Sequence, residues 1–397
     1  MTEILLSIAI IPITLPALSL LILTVAALRV RGTFRPSLAV SPVRAIRVAV
    51  LVPAHNESVN VIPTIECLKR QLGDADRLLV IADNCNDNTA ALARAAGAEV
   101  IERHDAQLRG KGYALAFGVD CLRTAHVPPE VVLIVDADCV VSDGAVSCIA
   151  QHCQTTGKPV QMLNLSKGGG ASLKLKVLEF AMLMKNYVRP LGSFHLGGAC
   201  HLMGTGMALP WSLMATAKLA TGHITEDMKL GVELALAGYE PQFLPQVRVS
   251  SHFSHDDGVT KVQKSRWEHG HLATMTEELP RLLGTAFKSR KPALIVMALD
   301  LLIPPVALYF LLLMVAESIA VLAAILWPVC LPAAALLSTS VVCFFLAIGL
   351  TWWRYGRHLL NAQELMKTPL YAFRKIPVYL AYLFNNRSGW VRTKREV

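Results

Sequence analysis

Residues 131–139, VVLIVDADC, run apolar until two aspartates stand at i and i+2, a spacing that turns both carboxylates the same way at the end of a strand. Oxygen ligands on a rigid strand end suit Mg²⁺ or Mn²⁺ held jointly with a diphosphate, since these cations usually complete their shell with phosphate oxygens. Asp136 and Asp138 are therefore candidate metal ligands. A solvated acidic strand end carries the same letters, so the assignment depends on what surrounds it.

Two further apolar runs lead into polar residues, 50–57 (VLVPAHNE) and 79–89 (LVIADNCNDNT). Asp83 stands where a carboxylate can accept a hydrogen bond from a nucleotide base, whereas Asn86, Asp87 and Asn88 read as turn and cap residues. The stretch 109–112, RGKG, supplies cations and backbone donors at a helix start, a favourable place for phosphate. No Ser or Thr follows Lys111, so it is not a Walker A loop. Residues 223–227, HITED, open a helix. Glu226 and Asp227 are either first-turn acids of ordinary capping chemistry, or Asp227 faces the metal site and takes a proton from an acceptor hydroxyl.

These motifs need elements to hold them. From 46 to about 249, short apolar runs alternate with helical periodicity, which predicts an α/β domain with a largely parallel sheet. Strands are expected at 46–52, 78–81, 99–101, 131–135 and 160–165, and helices at 59–71, 89–96, 112–122 and 145–154. Ligands of such sheets bind beyond the carboxyl ends of the strands, where the polar motifs fall. Nine cysteines without a C-x-x-C pair predict reduced thiols. Cys148, His152 and Cys153 are too few for a structural zinc site, which needs four ligands. His252 and His255 read as interfacial residues, with a metal ligand role for one of them as the competing reading.

The chain is also too apolar for an ordinary soluble enzyme, with 53% hydrophobic and 17% charged residues. Residues 4–28 carry no charge and suffice to span a ~30 Å hydrocarbon core. A cleaved signal peptide fits poorly, because the only charged residue before the run is Glu3, the run is too long and no small-x-small site closes it. Arg29, Arg31, Arg35, Arg44 and Arg47 follow, which places the amino terminus outside and the next domain in the cytoplasm. Residues 259–283 form a basic, amphipathic stretch expected to lie along the membrane surface. Two more spans are predicted at 301–327 and 332–353, turning at Pro328 and Pro332, then a second interfacial helix at 370–384 in a basic, cytoplasmic tail. The expected division is a transmembrane helix at 1–30, a cytosolic catalytic domain at 44–257 and an interfacial helix at 258–292. Two transmembrane helices follow at 293–355, and an interfacial helix with tail at 356–397. The net charge of +9 is accounted for by juxtamembrane basic residues drawn to anionic lipid, so nucleic acid is not an expected partner. Asp300 and Glu317 read either as an ion path, the mark of a transporter, or as members of interhelix pairs.

Residues 263–267, QKSRW, lie on the basic stretch. With VLVPAHNE, ADN, DAD, TED and QKSRW in this order between membrane spans, the chain resembles glycosyltransferase family 2. More narrowly, it is similar to the membrane-integrated branch that holds cellulose, hyaluronan and poly-N-acetylglucosamine synthases and ceramide glucosyltransferases. The resemblance implies a GT-A type, Rossmann-like catalytic domain and an inverting, single-displacement transfer from a uridine diphosphate sugar with Mg²⁺ or Mn²⁺. It also implies roles. Pro53, His55, Glu57, Asp83, Arg109 and Lys111 would form the donor pocket, with Asp136 near the ribose and diphosphate and Asp138 on the metal. Asp227 would be the general base, Glu226 its neighbour in the catalytic set, and Arg266 the cation that neutralises the departing diphosphate. Trp267, Gln263 and Gly204, Thr205 and Gly206 of the MGTG stretch would line the acceptor path. Ala82 departs from the pattern, standing where many relatives carry the first of two acids. Implied partners are a lipid-linked or polysaccharide acceptor, membrane lipids, and further copies of the chain or polysaccharide-export components. The implied setting is the inner membrane of a bacterial cell and the synthesis of extracellular polysaccharide. Single-sugar transfer to a lipid acceptor, and a non-catalytic transporter or sensor, are the competing readings.

Overall fold

The structure, a computed structural model, describes residues 2–30, 46–168, 172–252, 257–373 and 376, without the side chains of 2–9 and 257–264. Arg31, Arg35, Arg44, His255 and most of the expected helix at 370–384 lie outside the described residues. The chain forms two compact units, one of 32–169, 199–270 and 389–397, the other of 1–31, 170–198 and 271–388.

In the first unit eight strands make one sheet: β1 Val48–Ala54, β2 Arg77–Asp83, β3 Glu99–Arg103, β4 Val131–Ile134, β5 Val140–Val141, β6 Val160–Lys167, β7 Met207–Pro210 and β8 Gln242–His252. Their order is β3-β2-β1-β4-β7-β6-β8-β5. β1 runs parallel to β2 and β4, β2 to β3, and β6 to β8, whereas β7 and β5 pair antiparallel with their neighbours. The sheet is mostly parallel, as expected, and β5, β7 and β8 add to the predicted strands.

Strand alternation feeds both faces. Val48, Val50 and Val52 pack with Ile65, Leu68 and Ile149, while Ala49, Leu51, Leu79 and Ile81 pack with Leu115, Val119 and Leu230. The helices Val61–Lys69 and Ala145–Thr156 therefore cover one face, and Lys111–Arg123 and Glu226–Leu236 the other. Each such aliphatic side chain contributes about 1.5–3 kcal/mol through burial. Successive strands run outward from β1 to β3, then β4 returns on the other side of β1. That reversal is the topological switch where doubly wound sheets open a ligand crevice.

The second unit is helical. Among the described residues, three of its helices are long and apolar enough to cross a membrane, at Ile10–Arg29, Val306–Leu326 and Pro328–Gly356. The apolar stretch does not enter its second span directly. A short helix, Pro292–Leu301, comes first, and Pro304 and Pro305 break it from the helix Val306–Leu326, since proline supplies no backbone donor. Helices Leu173–Leu183 and Arg189–His195, joined by the π-helical turn Met184–Val188, also belong here. A Cβ at Gly192 would fall 2.0 Å from the Leu23 carbonyl oxygen, so glycine lets this segment meet the first helix backbone to backbone. Asp300 is buried and pairs with buried Arg189, whose Nε and a terminal nitrogen donate to the Asp300 carboxylate and carbonyl at 2.6 Å each. Glu317 accepts from the Ser338 hydroxyl at 2.6 Å. Both acids are thus members of interhelix pairs.

Candidate active site

The carboxyl ends of β1, β2 and β4 carry the polar motifs. After β1 and β2 the backbone turns through Asn56 (φ 55°) and Asn84 (φ 52°), left-handed positions that asparagine tolerates better than most residues. The turns are tied together, because the Asn56 side chain accepts from the Asn86 amide at 2.8 Å and the His55 Nδ1 lies 2.7 Å from the Asp83 carbonyl oxygen. Pro53 sits in β1 beside Ile81. Glu57 is buried at the start of the helix Val61–Lys69; its amide donates to the Thr89 hydroxyl and its carboxylate accepts from Asn60.

Asp83 is buried and its Oδ1 accepts from Arg103 at 2.7 Å and from Asn84 at 3.1 Å. Arg103 also donates to Asp105 and to the Leu108 carbonyl, and its guanidinium stands 5.8 Å from the centre of the Tyr113 ring. Arg103 has no place in the sequence-derived site. Only its position at the end of β3, in register with Asp83, could have marked it.

β4 ends at Ile134, two residues before the first aspartate, so the carboxylates do not share a side through strand pleating as expected. A turn does it instead: the Cys139 amide donates to the Asp136 carbonyl at 3.0 Å, and ligand atoms of Asp136, Asp138 and Cys139 lie within 4.8 Å of one another. Cys139 is buried and its thiol donates to Asp138 Oδ1 at 3.5 Å. Burial, and then the charges of Asp138 and Asp136, push this thiol well above its usual pKa, so it acts as a donor to the carboxylate rather than as a thiolate ligand. Two hard carboxylates in this arrangement fit Mg²⁺ or Mn²⁺.

Lys111 opens the helix Lys111–Arg123 and its ammonium forms an ion pair with Asp136 and donates to the Gly204 carbonyl at 2.8 Å. Burial alone would lower the lysine pKa, but Asp136 and Glu226, followed by Asp227, raise it overall. The helix can begin here because Gly112 lets the segment 219–221 approach: a Cβ at 112 would lie 2.3 Å from the Leu219 carbonyl oxygen. Arg109 is exposed on the preceding loop.

Gly204 and Gly206 hold left-handed φ of 79° and 64°, and Thr205 Oγ1 accepts from the Asp136 amide at 3.0 Å. A Cβ on Gly204 would lie 3.0 Å from Asp227 Oδ2 and 3.3 Å from Lys111 Nζ, so the lysine and the predicted base both approach the bare side of this glycine. Gly206 has no room either, with Met162 Cγ at 2.4 Å from such a Cβ. The loop is pinned by Gln161, fully buried on β6: its Nε2 donates to the carbonyls of Met162 and Thr205 at 2.9 Å and of Gly206 at 3.2 Å, and its Oε1 accepts from the Met203 amide at 2.8 Å. Sequence reading missed Gln161, since a single polar residue in a strand pattern carries no mark of what it will hold.

Glu226 and Asp227 occupy the first turn of the helix Glu226–Leu236. Burial, then the neighbouring Asp227 charge, pushes Glu226 up to about 7. Just before them Thr225 donates to the Gly270 carbonyl at 3.2 Å, and a Cβ on Gly270 would lie 2.5 Å from Thr225 Cγ2. Gly270 belongs to the helix Asp257–Ser289, which carries QKSRW. Arg266, half-buried, precedes Gly270 by four residues and shares its helix face; Trp267 is half-buried beside it. Gln263 lies on the same helix, and its side chain is outside the described residues.

Lys111, Asp136, Asp138, Gly204, Thr205, Gly206, Glu226 and Asp227 thus form one cluster through an ion pair, hydrogen bonds and close approaches between them and their neighbours in sequence, with Asp83 and His55 at the adjoining strand ends.

Residues 45–270 match the family model for glycosyltransferase-like family 2. No curated protein sequence matches the chain. Among solved structures, a mannosyltransferase from Pyrobaculum calidifontis, determined with GDP-mannose and Mn²⁺, aligns over 89% of this chain and 100% of its own at 15% identity and a TM-score of 0.53. Glucosyl-3-phosphoglycerate synthase from Mycobacterium tuberculosis, with Mn²⁺, UDP and phosphoglyceric acid, covers 56% of this chain and 77% of its own at 18% identity and a TM-score of 0.37.

Proposed function

The chain belongs to the family 2-like glycosyltransferases, with a GT-A type catalytic fold, and from that premise we propose that it is an inverting, metal-dependent transferase of a sugar from a uridine diphosphate donor. The acceptor is a growing polysaccharide or a lipid-linked sugar at the cytoplasmic face of the inner membrane, in the assembly of extracellular polysaccharide. Export components or further copies of the chain complete the path for a polymer. One observation carries the catalytic reading: Lys111, bound to Asp136 and to the Gly204 carbonyl, meets Asp227 at the same glycine.

In this reading Asp136 and Asp138 hold Mg²⁺ or Mn²⁺, which supplies charge stabilisation for a leaving diphosphate. Pro53, His55, Glu57, Asp83 and Arg109 shape the nucleotide side, and Asp83 is kept in place by Arg103. Asp227 takes the proton of the acceptor hydroxyl as its oxygen bonds to the anomeric carbon and the carbon–oxygen bond to the diphosphate breaks. Lys111 and Arg266 meet the charge that grows on the departing diphosphate. Trp267, Gln263 and the Met203–Gly206 loop line the acceptor side, where Gly204 and Gly206 keep the backbone bare of side chains. The three candidate spans among the described residues favour a second reading for the acceptor, transfer of one sugar to a lipid, because three helices make a small enclosure for a polymer.

Purified protein in lipid nanodiscs, given labelled nucleotide sugars and membrane extract, should release UDP in step with labelled product only when Mg²⁺ or Mn²⁺ is present. Asp227→Asn and Asp138→Ala should each lower turnover at least ~100-fold. Wild-type turnover by either variant contradicts the assignment, and the chain length of the product by mass spectrometry separates polymer from single transfer.

A further inference from the structure

Lys111 presents its charge where a divalent cation would also bind. Its ammonium contacts Asp136, one of the two carboxylates that fit the ion, and it is anchored there by the Gly204 carbonyl at 2.8 Å. The anchor is rigid. Gly204 follows Met203, whose amide is held by buried Gln161, and precedes Thr205, whose hydroxyl takes the Asp136 amide. An ion bound through Asp136 and Asp138 comes within roughly 5 Å of this fixed positive charge, and even water-like screening weakens its binding about tenfold or more. A diphosphate arriving with the ion removes that penalty, because its negative charges attract both cations.

We propose that Lys111 makes the site bind a divalent cation weakly by itself and more tightly together with the nucleotide diphosphate. The lysine is a positioning residue for this coupling. It holds the Asp136 charge until a metal–nucleotide pair takes it over, and its ammonium then turns to the diphosphate. By linkage the same lysine makes nucleotide binding depend on the metal, with equal coupling in both directions. This inference rests on the metal assignment to Asp136 and Asp138 given above.

The test is equilibrium Mn²⁺ binding to the full chain in nanodiscs, followed by loss of the free-ion paramagnetic resonance signal, with and without UDP and no acceptor. Wild type should bind Mn²⁺ at least tenfold more tightly with UDP. Lys111→Met should bind Mn²⁺ alone about tenfold more tightly than wild type, and UDP should add correspondingly less than it does in wild type. Lys111→Arg, which keeps the charge, should retain wild-type coupling, and thermal melting of each variant identifies a folding defect. Should Lys111→Met fail to fold, Lys111→Gln carries the same expectation. Unchanged or weaker Mn²⁺ binding by a folded, neutral variant overturns the coupling while leaving the metal site intact. Absence of UDP-assisted Mn²⁺ binding in wild type, or its persistence in Asp138→Ala, overturns the metal assignment as well.

Discussion

Replacing Gln161 with leucine separates scaffold from chemistry, since the residue is fully buried and touches no substrate group in the proposed reaction. Leucine removes three donated bonds and one accepted one. The Gly206 carbonyl keeps the Met162 amide at 2.9 Å, so the groups that lose most are the Met203 amide and the Thr205 carbonyl. A buried polar group left without its partner costs about 1–3 kcal/mol, which puts the change at roughly 2–5 kcal/mol. Relaxation of the loop recovers part of that, at the expense of the Gly204 carbonyl and Thr205 hydroxyl that hold Lys111 and Asp136. Chemical denaturation followed by fluorescence should therefore reveal a destabilised catalytic unit. Initial-rate kinetics under conditions where the variant is folded should show kcat down about 10- to 100-fold, as expected for 1.4–2.7 kcal/mol of lost positioning. Gln161→Glu keeps the acceptor for Met203 but turns a non-donating carboxylate toward three carbonyls, and should be at least as destabilised as Gln161→Leu near neutral pH. Unchanged stability and kcat in Gln161→Leu would refute the view that this side chain sets the loop.

Other perturbations probe separate links. Gly112→Ala places a methyl 2.3 Å from the Leu219 carbonyl oxygen, a backbone atom, and should reduce nucleotide affinity measured by calorimetry as the helix start and Lys111 are pushed away. Arg189→Met removes the guanidinium from buried Asp300 and should destabilise the helical unit by about 3–5 kcal/mol, whereas the double change with Asp300→Leu should restore most of it in thermal melts. Glu226 keeps its proton to about pH 7 in the folded chain against 4.5 for the free group, so the unfolded state loses its proton first as pH rises. Its contribution to stability therefore declines between about pH 4.5 and 7. Glu226→Gln should flatten that decline in melting temperature measured without nucleotide or metal.

Apolar runs made most of the sheet legible, because β1, β2 and β4 are buried on both faces and read as continuous hydrophobic strings. The strands that escaped notice are short or irregular. β5 has two residues, and β8 pairs with β6 through a register shift at Met162 and Leu163, which blurs alternation. Asp136 and Asp138 could be found at a strand end, but the turn that converges them depends on a backbone bond from Cys139 that no spacing rule reports. Arg103, Gln161 and Arg189 were illegible for one reason. Each acquires its role from a partner distant in sequence, Asp83 by 20 residues, the Thr205 carbonyl by 44 and Asp300 by 111. Composition records such side chains as ordinary polar residues in ordinary elements.

The same contacts explain how several acids gather in so small a space. Asp136, Glu226 and Asp227 would repel one another, yet each bears on the ammonium of Lys111, whose pKa they raise. One lysine offsets one unit of charge and leaves the group negative, so the lysine weakens the attraction of these acids for a doubly charged cation without cancelling it. Backbone geometry fixes the balance. Gly204 and Gly206 bring the loop close enough for a carbonyl to hold the ammonium, and a side chain at Gly204 would intrude between Lys111 and Asp227. Substitution of Gly204 by alanine therefore strains a left-handed position and crowds both charged groups at once, so its effect on the reaction should exceed its effect on folding.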